Sequence, residues 1–280
     1  MDELKRYFTS DALIRVKNDF SNLLGSKNIT HGRLYFAIRD QYFNLYYRGN
    51  NLAKVEIQKG GKYKVTIQKD FFEGTVGDSD EYYTKKSSPK STNEINIWLD
   101  DSCPPKHFFK VNNIDSICSR IRKRDFSEEL ALEQAIISDN MNREDIIIID
   151  RQVQKPRTRQ KMDLLSLVQI NQNKYSFCIN EVKIGKNDEL GGKVADQLND
   201  YIQLIEKRFS EYKTCYEKQY KQKKELSLLN GVPYDEIKIE QPVLGKVLVG
   251  GYIPLANEYI EKLKKTEFKW SIQKFDYKLK

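Results

Sequence analysis

From residue 33 to residue 72 apolar and polar positions alternate, in the stretch RLYFAIRDQYFNLYYRGNNLAKVEIQKGGKYKVTIQKDFF. A period of two puts every second side chain on one face of a strand, so this stretch predicts a β-meander of three or four strands. Gly49-Asn50-Asn51 and Gly60-Gly61 break the alternation where tight hairpin turns belong. Before it, Leu4, Phe8, Leu13, Val16, Phe20 and Leu24 recur at roughly helical spacing and predict a helix over 1–25. After it, residues 74–95 are polar and turn-rich and read as a long loop, with a short helix expected near Asn113–Arg124. From Asp125 onward the pattern changes to a helix (Phe126–Asp139), then strands at Ile146–Val153, Met162–Ile170 and Lys174–Ile184. A second helix, a long charged segment, a strand at Val243–Ile253 and a final helix at Ala256–Lys265 follow. The expected fold class is α/β (α+β): a β-rich N-terminal domain over 1–122, then a mixed sheet flanked by helices over 123–280.

The second half carries the candidate chemistry. In the first helix Phe126, Leu130, Leu132, Ile136 and Ile137 form an apolar stripe, with Glu133 near its middle and Glu129 beside it. A carboxylate aimed at a core is costly unless compensated, either by a core arginine, by bending out to water, or by a polar site. The strands at Met162–Ile170 and Lys174–Ile184 are separated by Asn171-Gln172-Asn173, a good hairpin loop. If Ile170 pairs with Lys174, Asp163 falls opposite Glu181, with Cβ atoms roughly 4.5–5.5 Å apart. Lys183 then points to the same face, and a slip of one residue would separate the groups.

Two adjacent carboxylates repel unless a cation lies between them. Such oxygen ligands suit Mg²⁺ or Mn²⁺, which can polarise a phosphoryl oxygen and lower the pKa of a bound water. An ammonium beside them can stabilise the charge of a phosphorane-like transition state. Asp163, Glu181 and Lys183 therefore have the parts for phosphodiester hydrolysis; the plain alternative is a surface salt-bridge ladder. In the helix after the hairpin, Val194, Leu198, Tyr201, Ile205 and Phe209 make an apolar stripe. Gln197 lies on its margin, one turn from Tyr201, where it can reach a polar site or simply mark the core boundary.

These motifs together resemble the PD-(D/E)XK nuclease superfamily, in its branch with a Gln-x-x-x-Tyr motif, over residues of about 126–209. The resemblance rests on Glu133 (or Glu129), Asp163, Glu181-Val182-Lys183 and Gln197-Leu198-Asn199-Asp200-Tyr201; Met162 stands where the eponymous proline would be. It implies a restriction-endonuclease-like core in which Asp163, Glu181 and the backbone carbonyl of Val182 bind Mg²⁺ or Mn²⁺. It further implies that Lys183 positions the attacking water and that the helix glutamate holds a water on the metal. Gln197 and Tyr201 would shape the site or contact a phosphate. DNA as substrate, in repair, restriction or phage defence, is also an implication of the resemblance alone. The N-terminal domain would then serve target recognition or contact a protein partner, and a homodimer is compatible with it.

Composition changes this picture little. The net charge of +8 favours an anionic partner such as nucleic acid. Lys155, Arg157, Arg159 and Lys161 form a basic loop leading into Asp163, and Lys186 and Lys193 follow Lys183. Both groups are candidates for holding substrate phosphates, with solvated loops as the alternative. The basic, tyrosine-bearing run Lys213–Lys224 reads as a helix, more simply a solvated one than a nucleic-acid track. The meander aromatics Tyr35, Phe36, Tyr42, Phe43, Tyr46 and Tyr47 fit a core better than base stacking. Asp150 reads as a strand-end residue rather than the motif aspartate. Cys103, Cys118, Cys178 and Cys215 form no CxxC pair, which argues against zinc and a disulfide scaffold. No apolar run approaches the roughly 20 residues of a membrane span and the start is too polar for a signal peptide, so a cytoplasmic location without membrane contact is expected. Two other readings stay open: a catalytically inactive nucleic-acid-binding or scaffold protein of the same fold, and an RNA-cleaving effector.

Overall fold

A computed structural model of the chain describes residues 4–72, 87–89, 93–124, 127–155, 158, 160–264 and 270–275. The fold is mixed α+β, built as two compact units with a sheet in each. Each unit draws on more than one stretch of chain: Lys5–Ser127 with Lys221–Asn230 in the first, and Met1–Leu4, Glu128–Tyr220 and Gly231–Lys280 in the second.

In the first unit the expected single helix over 1–25 is instead three short ones, α1 (Ser10–Asp19), α2 (Ser21–Leu24) and α3 (Lys27–Thr30). Thr9 caps α1 by accepting from Ala12 N–H, and so fixes its start beyond Phe8. The meander is an antiparallel sheet of β1 (Tyr35–Ile38), β2 (Tyr42–Tyr47), β3 (Asn50–Ile57) and β4 (Tyr63–Gln68). The sheet extends through β6 (Glu94–Leu99) to β5 (Ser87–Pro89), inside the segment expected to be a loop; residues 73–86 and 90–92 lie outside the described residues. The helices α4 (Lys69–Phe72), α5 (Pro105–Phe108) and α6 (Val111–Arg124) complete the unit. Phe36, Phe43, Tyr46 and Tyr47 are buried, and Phe20 meets Phe43 and Tyr63 edge-on with ring centroids 5.0 Å apart. Of the meander aromatics all but Tyr42 are buried; Tyr42 is half-exposed with the Lys54 ammonium over its ring.

The second unit begins with α7 (Glu128–Asp139); Asp125 and Phe126, which the sequence placed at its start, lie outside the described residues. Strands β7 (Ile146–Gln154), β8 (Lys161–Asn171) and β9 (Lys174–Ile184) form an antiparallel meander. The chain then crosses through α8 (Lys193–Lys207) and α9 (Phe209–Glu225) to β10 (Lys238–Ile239) and β11 (Leu244–Gly250). A further crossover through α10 (Ile253–Leu263) leads to β12 (Trp270–Phe275), a strand without a sequence signal strong enough to predict it. β11 runs parallel to both β9 and β12, as helical crossovers require, giving the order β12-β11-β9-β8-β7.

Several boundaries differ from expectation for local reasons. Phe209 is not the last residue of the Tyr201 stripe; α8 stops at Lys207 and Phe209 opens α9. Helix α9 is not a solvated face, because Tyr212, Tyr216 and Tyr220 are buried and Phe177 of β9 meets Phe209, Tyr212 and Tyr216 edge-on. The last predicted helix starts earlier, at Ile253, with a proline in its first turn where a missing N–H costs nothing.

Helices cover both faces of the second sheet. A Cβ added to Gly245 would meet Leu198 and Ile202 of α8, whereas one added to Gly250 would lie 2.4 Å from Leu132 of α7. Gly245 and Gly250 are an odd number of residues apart, so α8 and α7 lie on opposite faces. The ends of β9 and β11 also meet backbone to backbone. Gly185 N–H donates to Gly250 O at 3.2 Å, and a Cβ on Gly185 would lie 2.4 Å from Gly251 O. None of the helices among the described residues is long and apolar enough to cross a membrane.

Candidate active site

The β8–β9 hairpin sets the site. Leu164 pairs with Asn180 and Leu165 with Ile179, the register that brings Asp163 beside Glu181. The turn is tighter than the expected Asn171-Gln172-Asn173 loop: Asn171 pairs with Lys174, Gln172 takes a positive φ of 39°, and Ile170 is bulged out and exposed. The bulge adds one residue on β8 and so restores the pairing a three-residue loop would have given. Asp163 Oδ2 accepts from Val182 N–H at 2.9 Å, which fixes the carboxyl against the next strand. Glu181 and Lys183 are buried, Asp163 half-buried.

The two carboxyls perturb each other. Burial pushes Glu181 well above the usual glutamate range, and the neighbouring Asp163 pushes it further. Burial also raises Asp163, opposed by Lys183 and by the Val182 N–H. Burial works against the Lys183 ammonium, but Asp163, Glu181 and Glu189 outweigh it and hold the lysine above its ordinary value. The ammonium lies 3.9 Å from Glu181 Oε2 and closer, 3.1 Å, to Glu189 Oε2.

Helix α8 faces this cluster. Tyr201 is buried, and its hydroxyl pKa is raised by burial and by the charges of Glu181 and Asp163. Gln197 lies one turn before it. Gln197 Oε1 and Glu181 Oε1 are both buried acceptors that receive no hydrogen bond among the described residues. Buried acceptors are rarely left unpaired, and a cation or a water it holds is what such oxygens are fitted to receive.

The two glutamates of α7 take different parts. Glu133 is buried in a salt bridge, its Oε2 2.6 Å from Arg151 Nη2, with Gln152 Nε2 donating to it at 3.4 Å. Burial raises its pKa to about 7 against the pull of Arg151. This is the core-arginine pairing, and it commits Oε2 of Glu133 to Arg151. Glu129 instead reaches the end of β9: its Oε1 accepts from Ile184 N–H at 3.1 Å and from Asn187 Nδ2 at 2.6 Å, and its charge is felt by Asp163 and Lys183.

Asp150 is not a strand-end residue. It is fully buried inside β7 at a register shift, where it accepts from Arg151 N–H and from Tyr216 Oη at 3.1 Å. The basic candidates are mostly engaged. Lys155 pairs with Asp200 at 2.8 Å, Lys186 with Glu128 at 2.6 Å and Lys193 with Glu189 at 2.6 Å, while Lys161 is exposed. Arg157 and Arg159 lie outside the described residues.

Glu189, Asn187 and Arg151 were not singled out from the sequence. Asn187 caps the 3₁₀ turn Asp188–Gly191, and an Asn-Asp-Glu run at a turn is a capping signature that was available in the sequence. Arg151 had no signal beyond being a charge inside a strand pattern. Among the described residues no three His, Cys, Asp or Glu side chains converge to hold a metal, so a cation here would draw on two carboxylates, a main-chain carbonyl and water. Comparison with known proteins yields no match: no family model, no curated protein and no solved structure matches the chain.

Proposed function

We propose that the second unit is a metal-dependent phosphodiesterase, a nuclease of the PD-(D/E)XK type with a restriction-endonuclease-like core. The observation that carries this reading is the side-by-side placement of Asp163 and Glu181, with a buried glutamate oxygen left unpaired and Lys183 on the same face. The donor set fits a hard divalent cation, Mg²⁺ or Mn²⁺, on Asp163, Glu181 and the Val182 carbonyl. When bound, the cation would supply charge neutralisation at the phosphate and a lowered pKa for a nearby water.

The side chains would do the rest. Lys183 would orient the attacking water and donate to the phosphate oxygens as negative charge builds on them. As the water oxygen bonds to phosphorus it releases a proton to solvent, the bridging P–O bond breaks, and the leaving oxygen takes up a proton from solvent, so that the net change is one water consumed. Tyr201 and Gln197 would close the α8 side, and Glu129, rather than Glu133, would hold the end of β9 in place. DNA is favoured by resemblance, and the residues themselves do not separate it from RNA.

A second reading is favoured by one distance. Lys183 lies nearer Glu189 than Glu181, and Lys193 also pairs with Glu189, as expected of a structural ion cluster in a non-catalytic nucleic-acid-binding or scaffold protein. One experiment separates the two. Single-stranded, double-stranded and branched DNA, and RNA, are incubated with Mg²⁺, Mn²⁺ or EDTA and wild type, Glu181→Ala or Lys183→Ala. The nuclease reading expects metal-dependent cutting, slowed by about a hundred- to thousandfold in each variant. Binding without cutting, unchanged by either substitution, would replace it with the second reading.

A further inference from the structure

The face of the second sheet turned away from Asp163 and Glu181 holds a cavity of about 380 Å³. Its floor is formed by Ser166 of β8, Cys178 and Asn180 of β9 and Lys246 of β11, and α7 walls it with Ile136 and Asp139. Asn180 and Lys246 are cross-strand partners, so they share this face, and Glu181, one position on, does not.

The floor is rigid and polar. Asn180 Nδ2 donates to Ser166 Oγ at 2.8 Å and to Cys178 O at 3.1 Å, and Ser166 Oγ donates to Cys178 O at 3.2 Å. Asn180 Oδ1 faces only the weak Cys178 thiol donor, at 3.7 Å, and keeps acceptor capacity. Lys246 is half-buried, yet among the described residues it has neither a salt bridge nor a hydrogen bond. An ammonium taken partly out of water and left without a counter-charge calls for an anion. Arg143 adds a second cation at the cavity wall, already engaged by Asp145 and Asn140, while Asp139 repels an anion from its own side. Leu164, Leu248 and Phe275 make part of the remaining wall apolar, and Gln273 and Asn140 add polar side chains to it. The volume lies at the lower end of the roughly 300–1,000 Å³ of small-ligand sites.

One uncommitted cation, an amide and hydroxyl floor, and partly apolar walls fit a flat ring bearing a hydrogen-bonding edge and a single anionic group. We propose that this cavity binds a nucleoside monophosphate, with its phosphate on Lys246 and its base edge on Asn180 and Ser166. The proposal is independent of the nuclease reading, because the two places lie on opposite faces of the sheet.

The test is calorimetric titration of the full chain in EDTA with adenosine and cytidine 5′-monophosphate, and with adenosine and inorganic phosphate as partial probes. Lys246→Met removes the cation while keeping the side-chain stem, Val168→Phe fills the cavity from its edge, and Glu181→Gln alters only the opposite face. Saturable binding of at least one monophosphate is expected, tighter than either partial probe. It should weaken by at least about tenfold in Lys246→Met and in Val168→Phe and stay unchanged in Glu181→Gln. Thermal melts followed by circular dichroism establish which variants are folded, and either folded variant alone suffices. No binding of either monophosphate, or binding that ignores both cavity substitutions, would overturn the proposal. So would binding lost in Glu181→Gln, which would place the ligand at the carboxylates.

Discussion

The sheet of the first unit is filled by Phe36, Ile38, Phe43, Leu45, Val55, Val65 and Ile97, while that of the second buries Glu133, Asp150, Arg151, Glu181 and Lys183 beside its aliphatic residues. Among the described residues every buried carboxylate lies in the second unit; the first buries Arg39 and Lys223 but no acid. Apolar burial stabilises by roughly 25 cal/mol per Å², whereas a buried charge is tolerated only when paired and hydrogen-bonded. The first sheet is therefore a packing solution. The second carries electrostatic cost spread over β7, β9 and α7, a pattern shared by working sites and structural ion-pair networks.

The comparison can be broken most sharply by removing one side chain from each core. The chain has two tryptophans, Trp98 on β6 and Trp270 on β12, so single-tryptophan variants report each sheet separately during urea unfolding. Phe20→Ala should cost about 3–5 kcal/mol at Trp98 by opening a cavity among packed rings. Arg151→Met should cost about 3–5 kcal/mol at Trp270 by stripping the buried Glu133 of its partner, so that the carboxyl must take up a proton to stay inside. Adding Glu133→Gln to Arg151→Met should recover much of that loss, whereas no polar substitution will rescue Phe20→Ala. If the double variant recovers nothing, the charge asymmetry between the sheets has no energetic content.

A smaller effect should follow pH. Glu181 is raised above its ordinary 4.5 by burial and Asp163, so the folded chain holds a proton there that the unfolded chain has released. Stability then falls as pH rises above 4.5, until the folded-state carboxyl is itself ionised. In EDTA at pH 8, Glu181→Gln should melt higher than wild type, and the difference should vanish below pH 4.5, where the carboxyl is protonated in both states. Added Mg²⁺ should narrow the gap by stabilising wild type alone. A variant that melts lower at pH 8 would mean that Glu181 is satisfied as an anion. The smallest effect belongs to the exposed pair Arg124–Asp70 of the first unit, where Asp70→Asn should cost under about 1 kcal/mol and vanish in salt.

The hairpin was legible because alternation and turn chemistry both spoke for it, and its register could be checked against the bulge that corrects the turn. The meander of the first unit was legible for the same reason. Strand β12 was not, because an edge strand with mostly exposed side chains shows no strong alternation. The α7 glutamates show the other limit. Periodicity put Glu133 at the centre of the stripe, which is correct, but centrality marks burial, and its partner Arg151 comes from another strand that no local pattern links to it. Glu129, off-centre, was better placed to reach the end of β9. Glu189 remained hidden because a residue on a short turn has no period to betray where it points.

The backbone seam at Gly185 carries a consequence for how this chain can drift over generations. Two residues after Lys183, the peptide lies so close to Gly251 O and Tyr252 O that any side chain must push the neighbouring backbone aside. Changes in loops and on helix surfaces are absorbed locally, but a substitution here would be inherited by the whole end of β9, ammonium included. The position is thus a bottleneck: among relatives of this chain that keep the Lys183 arrangement, glycine is the residue to expect.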